Sequence, residues 1–221
     1  MSPSLKFFVV VLAAMVMSSA AFGQPTLVNF DFGAVQVACG SGYAYEAPVS
    51  WCSGNPLLNY NAPAQNYNAS PGFGWTLGWP AAIFGDFPYR IGVGLTGPGT
   101  LFQPPPFDGM PFSQAAFLQS IGAFVWQEVP GFTAGSYTLN FYLGSRYRDD
   151  CCDGNQTVQA LIDGKPIGVW ALKSYTPFTL ENATFTVSTD GNHTVEFEAM
   201  NIGDHTAFLS YVTITPIGHK P

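Results

Sequence analysis

Charge is what this chain has least of. Of 221 residues only 7 are Lys or Arg and 14 are Asp or Glu, so charged side chains make up 10% of the sequence. Beyond Lys6 the basic residues are Arg90, Arg146, Arg148, Lys165, Lys173 and Lys220, and they form no stripe. That scarcity speaks against nucleic acid or an anionic membrane as a partner, because both are held by clustered cations. Long apolar runs are as scarce. The one present, Phe7 to Met17, follows Lys6 and precedes the small residues Ser18-Ser19-Ala20-Ala21. It is shorter than the roughly 20 residues a membrane-crossing helix needs, and its flanks read as a secretory signal. The expected organisation is a signal peptide over residues 1–23 and one β-sandwich domain with long N-terminal loops over 24–221. Loss of Lys6 takes the formal charge from -7 to -8. The expected location is secreted, extracellular or associated with the cell surface.

Catalytic signatures are lacking too. His193 and His205 stand near acidic residues, but neither falls in a serine-elbow or metalloprotease pattern; both read as surface or turn residues. A sugar hydrolase needs two carboxyl groups across a glycosidic bond. Adjacent Asp149 and Asp150 would diverge on an extended segment, and nothing in the sequence constrains Glu128 toward Asp153. A non-catalytic protein is expected, with a glycan-active enzyme of unrecognised type as an alternative. Cysteines number four, Cys39, Cys52, Cys151 and Cys152, with no C-x-x-C pair and no histidine beside them. In an exported chain they are expected to form disulfides. Three pairings are open; the local one, Cys39–Cys52 with Cys151–Cys152, is the expectation adopted.

What the chain does have is aromatic residues, glycine and a two-residue period. Tyr137, Leu139, Phe141 and Leu143 alternate with Thr138, Asn140 and Tyr142, as on a half-buried strand. Val158, Ala160 and Ile162 form another inward row before the turn Asp163-Gly164. Phe185 and Val187 point inward together; Val195, Phe197 and Ala199 follow the turn at Asp190-Gly191. Phe208, Val212 and Ile214 give the last pattern, and Leu27 to Phe32 reads as the first strand of the mature chain. Trp126, within the strand around Phe124 to Val129, is expected to face the core. Antiparallel strands of this kind need a second apolar layer, and a sandwich supplies it.

The order Phe107-Asp108-Gly109, Val125-Trp126-Gln127-Glu128-Val129, Gly135 to Phe141, Leu161-Ile162-Asp163-Gly164 and Phe208 to Ile214 resembles the galactose-binding-like jelly rolls. Within these it is similar to the secreted domains grouped as DUF642 and their bacterial relatives. The resemblance covers about residues 107–214. It implies an antiparallel jelly-roll sandwich associated with extracellular carbohydrate or cell-wall material. Ser210 stands where the final strand motif usually carries an acidic residue.

Polar and aromatic loops supply the candidate site. Trp75 and Trp79 would offer flat surfaces to the C–H faces of a sugar. Arg146 would donate a fork of hydrogen bonds, and Asp150 would accept one. The competing readings are core packing for the tryptophans and charge compensation within the loop for Arg146. Asp149, Asp153 and Asn155 carry hard oxygen donors suited to calcium, although their order is not that of an EF-hand loop; no cofactor is required by this reading. Asn68, Asn155, Asn182 and Asn192 begin N-x-Ser/Thr sequons and are candidate glycosylation sites. The function expected from all this is an extracellular carbohydrate-binding or cell-wall-associated module with polysaccharide as partner. A self-associating coat, matrix or filament subunit is the structural alternative.

Overall fold

A computed structural model describes residues 24–35, 43–45, 67–79, 92–100, 103–147 and 155–218. Among the described residues eleven strands run in chain order: β1 (Tyr43–Tyr45), β2 (Thr76–Gly78), β3 (Gly92–Thr96), β4 (Ala115–Gln119), β5 (Phe124–Phe132), β6 (Gly135–Ser145), β7 (Thr157–Ile162), β8 (Lys165–Ala171), β9 (Thr179–Val187), β10 (Gly191–Ala199) and β11 (Thr206–Pro216). They form two antiparallel sheets, one ordered β1-β3-β4-β11-β6-β9 and the other β2-β5-β10-β7-β8. From β4 onward the chain changes sheet at every connection except the β7–β8 hairpin. The expected all-β antiparallel sandwich is what the chain forms.

The period-2 rows explain the assembly. Tyr137, Leu139, Phe141 and Leu143 of β6 face Val158, Ala160 and Ile162 of β7 and Val195, Phe197 and Ala199 of β10 in one core. Phe141 touches Phe197 and Trp170 edge-on, with ring centroids 4.8 and 4.9 Å apart. The β7–β8 hairpin turns at Asp163 and Gly164, whose φ values of 50° and 72° are those of a type I′ connection.

β11 breaks the period. Its register against β6 shifts between Ser210 and Thr213, so that Tyr211 and Val212 oppose Phe141 alone. Such a β-bulge reverses the inward and outward phase of a strand. Ala207 and Leu209 face the core before it and Val212 after it. Phe208 therefore points outward, opposite the expectation from its spacing, and joins Phe112, Ala115, Phe117 and Phe178 in a second apolar cluster on the outside of the six-stranded sheet. Gly144 permits that cover: a Cβ there would come within 2.8 Å of Pro105 and 3.2 Å of Phe178.

Three further expectations change. Leu27 to Phe32 is no strand; Asn29 and Phe32 have φ of 52° and 60° and turn the chain. Side-chain amides hold this segment instead. Gln127 accepts from Val28 N at 2.7 Å and donates to Val28 O at 2.9 Å, and Gln114 donates to the carbonyls of Phe32 and Val35. Trp126 does not face the core: Val125, Gln127 and Val129 take the inward phase of β5 and leave the indole half-buried on the outer side. The disulfide expectation is also corrected. Among the described residues there is neither a disulfide nor a free cysteine, and Cys39, Cys52, Cys151 and Cys152 all lie outside them.

Candidate functional site

Of the residues singled out from sequence, Trp75 is enclosed in the core. Trp75 is 2% exposed, stacks on Phe32 with centroids 5.1 Å apart, and donates its indole N–H to Asn29 O at 2.9 Å. Its ring lies in the core and offers no face to a sugar. Trp79 is half-buried against the same core. Strand pairing puts Trp79 and Arg146 at one end of the sandwich: Gly78 opposes Phe124 at the start of β5, while Ser145 opposes Ala207 at the start of β11. Arg146 is 5% exposed, and its Nη1 meets Asp204 Oδ1 at 3.1 Å. Gln119 also donates to that carboxylate. Asp204 is thus a charge partner of Arg146; Asp149 and Asp150, the partners expected from sequence, lie outside the described residues.

Around this pair, buried Gln156 accepts from Asn201 N and donates to His205 O, and Ser145 bonds to Lys173 O. The network ties the loop ends together. Asp149, Asp150 and Asp153 lie outside the described residues. Asn155 is described, and its amide oxygen accepts from Ser174 N at 3.2 Å. Among the described residues no group of three or more His, Cys, Asp or Glu is placed to hold a metal.

His193 also departs from expectation, because it is buried rather than at the surface. Its Nδ1 lies 2.6 Å from Asp163 Oδ2 and its Nε2 3.0 Å from Thr189 O. Both partners accept, so the ring serves them best as the imidazolium. Burial would lower its pKa; the hydrogen bond it donates to Asp163, the one to the carbonyl of Thr189 and the carboxylate charge outweigh that and raise it. The contact joins the β7–β8 turn to the β9–β10 turn and is structural.

An arrangement of unused chemistry lies on the outer face of β11, β6 and β9. β6 turns out Ser136, Thr138, Asn140 and Tyr142; β9 turns out Leu180, Asn182, Thr184 and Thr186. Past its bulge β11 contributes Tyr211, Thr213 and Thr215. Register aligns Thr215, Thr138 and Thr184 in one row and Thr213, Asn140 and Asn182 in the next. Tyr142 opposes Leu180, so an aromatic end adjoins a hydroxyl and amide grid. Tyr211 meets Phe30 edge-on at 5.1 Å and Tyr142 at 6.2 Å, and Tyr142 in turn touches Phe112 at 5.4 Å.

Two features set this face apart. First, the side chains of Asn140, Asn182, Thr184 and Thr213 and the hydroxyls of Tyr142 and Tyr211 take no hydrogen bond among the described residues. Second, Tyr211 has φ of 50°, the left-handed region that a bulky residue adopts only where its surroundings impose it. A glycine is usual at that kind of bulge position; here a tyrosine is aimed outward instead. The signal for Tyr142 and Asn140 was present in the sequence as the polar phase of β6. Nothing in the spacing of β11 announced Tyr211.

The other sheet's outer face carries Trp126, Glu128, Glu196 and Glu198. Glu196 opposes Trp126, Glu198 accepts from Gln159 Nε2 at 2.7 Å, and Asn192 donates to Glu128 at 2.8 Å. Burial, with the charge of Glu198, holds the Glu196 carboxyl above its ordinary value. Of the sequons, Asn182 sits on the tyrosine face and Asn192 at the start of β10. Asn68 uses its amide on both backbone groups of Leu77, at 2.7 and 2.8 Å, and so occupies the free edge of β2.

No protein-family model matches the sequence, the DUF642 group included, and no curated protein matches it. Solved structures do resemble it. A cyclase from Fischerella sp. TAU in complex with 4-(1H-indol-3-yl)butan-2-one is 13% identical, with a TM-score of 0.53 over 88% of this chain and 98% of that one. The Stig cyclase FisC from Fischerella sp. TAU, in complex with an indole compound, is 14% identical with a TM-score of 0.53 over 87% and 97%. At these identities the likeness is one of fold. A CBM22-1–GH10 fragment of Clostridium thermocellum xylanase 10B, complexed with xylohexaose, reaches a TM-score of only 0.44 over 67% of this chain.

Proposed function

We propose that the protein is an exported, non-catalytic module that binds polysaccharide on the outer face of β11, β6 and β9. The reading takes residues 1–23 as a signal peptide and 24–221 as the secreted module. The observation that carries it is the set of unused hydrogen-bonding groups on Asn140, Asn182, Thr184 and Thr213 beside the part-exposed rings of Tyr142 and Tyr211. A sugar presents the complementary surface, with apolar C–H faces for the rings and hydroxyls that both donate and accept. An amide offers both roles in one side chain, so Asn140 and Asn182 can each meet a pair of neighbouring hydroxyls. In this reading Phe30 and Tyr142 brace Tyr211, and the bulge sets its angle.

The composite of Trp75, Trp79, Arg146 and Asp150 gives way to this face, because the indole of Trp75 is enclosed and Arg146 is committed to Asp204. The contacts proposed for this face involve no calcium ligand, so binding is expected to survive chelation. The test is co-sedimentation with insoluble cell-wall polysaccharides and affinity electrophoresis in soluble ones, for the wild type, Tyr142→Ala and Asn140→Ala. Each variant should keep its folded spectrum and lose about tenfold in affinity, the loss of roughly one ring contact or hydrogen-bond pair. Binding unchanged in both variants refutes the site. Light scattering in the same preparations addresses the coat or filament alternative, which requires a persistent large assembly.

A further inference from the structure

We infer that the ligand of this face is a neutral, extended polysaccharide gripped along its length rather than at a chain end or through charged groups. The inference rests on the proposed binding face and narrows its ligand. It starts from charge. The eleven side chains that β6, β9 and β11 turn outward, from Ser136 to Tyr142, Leu180 to Thr186 and Tyr211 to Thr215, include no Asp, Glu, Lys or Arg. The chain as a whole is acidic, with a formal charge of -7. A polyuronate would find no cation on the face and would be repelled by the rest of the molecule. Arg146, just past the end of β6, is buried against Asp204. A cationic polymer would be drawn instead to Glu128, Glu196 and Glu198 on the opposite sheet. A neutral chain is the remaining class that this face suits.

Shape supplies the second half. Outward residues recur about every 6.7 Å along a strand, and neighbouring strands lie about 4.8 Å apart. From Ser136 to Tyr142 the face therefore extends about 20 Å, longer than a single sugar ring. Two of its rows are uncharged hydrogen-bonding groups throughout, with the hydroxyls of Thr215, Thr138 and Thr184 in one and Thr213, Asn140 and Asn182 in the next. Successive uncharged rows match a repeating polymer. The tyrosine end gives one place for a ring to stack, and the grid then meets successive hydroxyls of the same chain.

The experiment is affinity electrophoresis of the full chain in gels containing hydroxyethyl cellulose, galactomannan, polygalacturonate or chitosan, at low salt and in 1 M NaCl. A ladder of neutral oligosaccharides of increasing length is titrated in parallel. Retardation by a neutral polymer, unchanged in high salt, with affinity rising along the ladder, is expected, because screening does not touch uncharged contacts. A second variant, Thr184→Lys, should weaken neutral binding and gain a few-fold for polygalacturonate at low salt only. Preference of the wild type for polygalacturonate or chitosan, lost in salt, overturns the neutral ligand while leaving a polysaccharide-binding module. Tightest binding to the shortest oligosaccharide overturns the extended mode. Retardation by none of the polymers overturns the proposed function itself.

Discussion

Replacing Tyr211 by glycine and by alanine tests the bulge on which the proposed face depends. The two variants lose the same ring, and with it the edge contacts to Phe30 and Tyr142 at 5.1 and 6.2 Å. Their difference isolates the backbone. At an ordinary extended position glycine is the less stable by about 0.5–1 kcal/mol, since it gives up more freedom on folding. At φ of 50° an L-residue carries a left-handed penalty of about 1–2 kcal/mol that glycine does not. The sign therefore reverses, and Tyr211→Gly is expected to be more stable than Tyr211→Ala by about 1 kcal/mol. In a chain of this size that corresponds to about 2–4 °C in Tm. Urea unfolding followed by circular dichroism, with m-values compared to confirm a common denatured state, measures it. Tyr211→Ala as stable as Tyr211→Gly, or more so, would show that residue 211 is not left-handed and that the bulge does not aim its side chain. Both variants should bind polysaccharide less well than the wild type, so the glycine variant should gain stability over alanine without regaining affinity.

Other expectations follow from the same structure. His193 has its pKa raised from 6.5 and Asp163 has its pKa lowered from 3.8 by their contact, against the opposing effect of burial on each. The histidine's contribution is full below pH 6.5 and fades as pH rises through its raised folded value; the aspartate's is full above 3.8 and fades as pH falls through its lowered one. The stability of the wild type relative to His193→Asn should thus be greatest between those limits and shrink above pH 6.5, and a difference flat from pH 5 to 9 would contradict the ion pair. Gln127→Met removes both bonds to Val28 and should cost about 1–3 kcal/mol, with faster proteolysis within residues 24–35; unchanged proteolysis would mean the amide does not hold that segment. Phe197→Ala, at a fully buried ring against Phe141, should cost about 3–5 kcal/mol in denaturant unfolding, and a cost below 1 would place that ring outside the core. Production in a host that glycosylates Asn182 should abolish binding, whereas protein made in a host that does not glycosylate it should bind.

The sandwich was legible because its strongest rows are strictly alternating. Tyr137 to Leu143, Val158 to Ile162 and Val195 to Ala199 each keep one phase from end to end, and a short turn such as Asp163-Gly164 leaves that phase intact. Legibility failed where a local backbone event overrides the period. The bulge at Tyr211 and Val212 reverses β11 in mid-strand, which misassigned Phe208 and hid the tyrosine. Asn29 and Phe32 turn an apparently regular Leu27–Phe32 segment. The site was harder still. Tryptophan content drew attention to Trp75, but large aromatics serve cores as readily as ligands, and only the contacts with Phe32 and Asn29 decide between them. Trp126 went the other way because Gln127 is needed inside to bind Val28, and an inward glutamine is invisible to a rule that places apolar residues in the core. The loop charges around Arg146 pointed to chemistry, but Arg146 itself meets Asp204, 58 residues distant in sequence.

The central claim is that saccharide lies on the face of β11, β6 and β9. The side-chain amide resonances of Asn140 and Asn182 test it most directly, since neither group has a hydrogen-bond partner among the described residues. In a ¹⁵N-labelled sample titrated with the longest neutral oligosaccharide that binds, both resonances should shift together with the backbone amides of Tyr142, Thr184 and Thr213. Shifts confined to the loop end, at Asn155, Asn201 and Lys173, with Asn140 and Asn182 unmoved, would contradict the account.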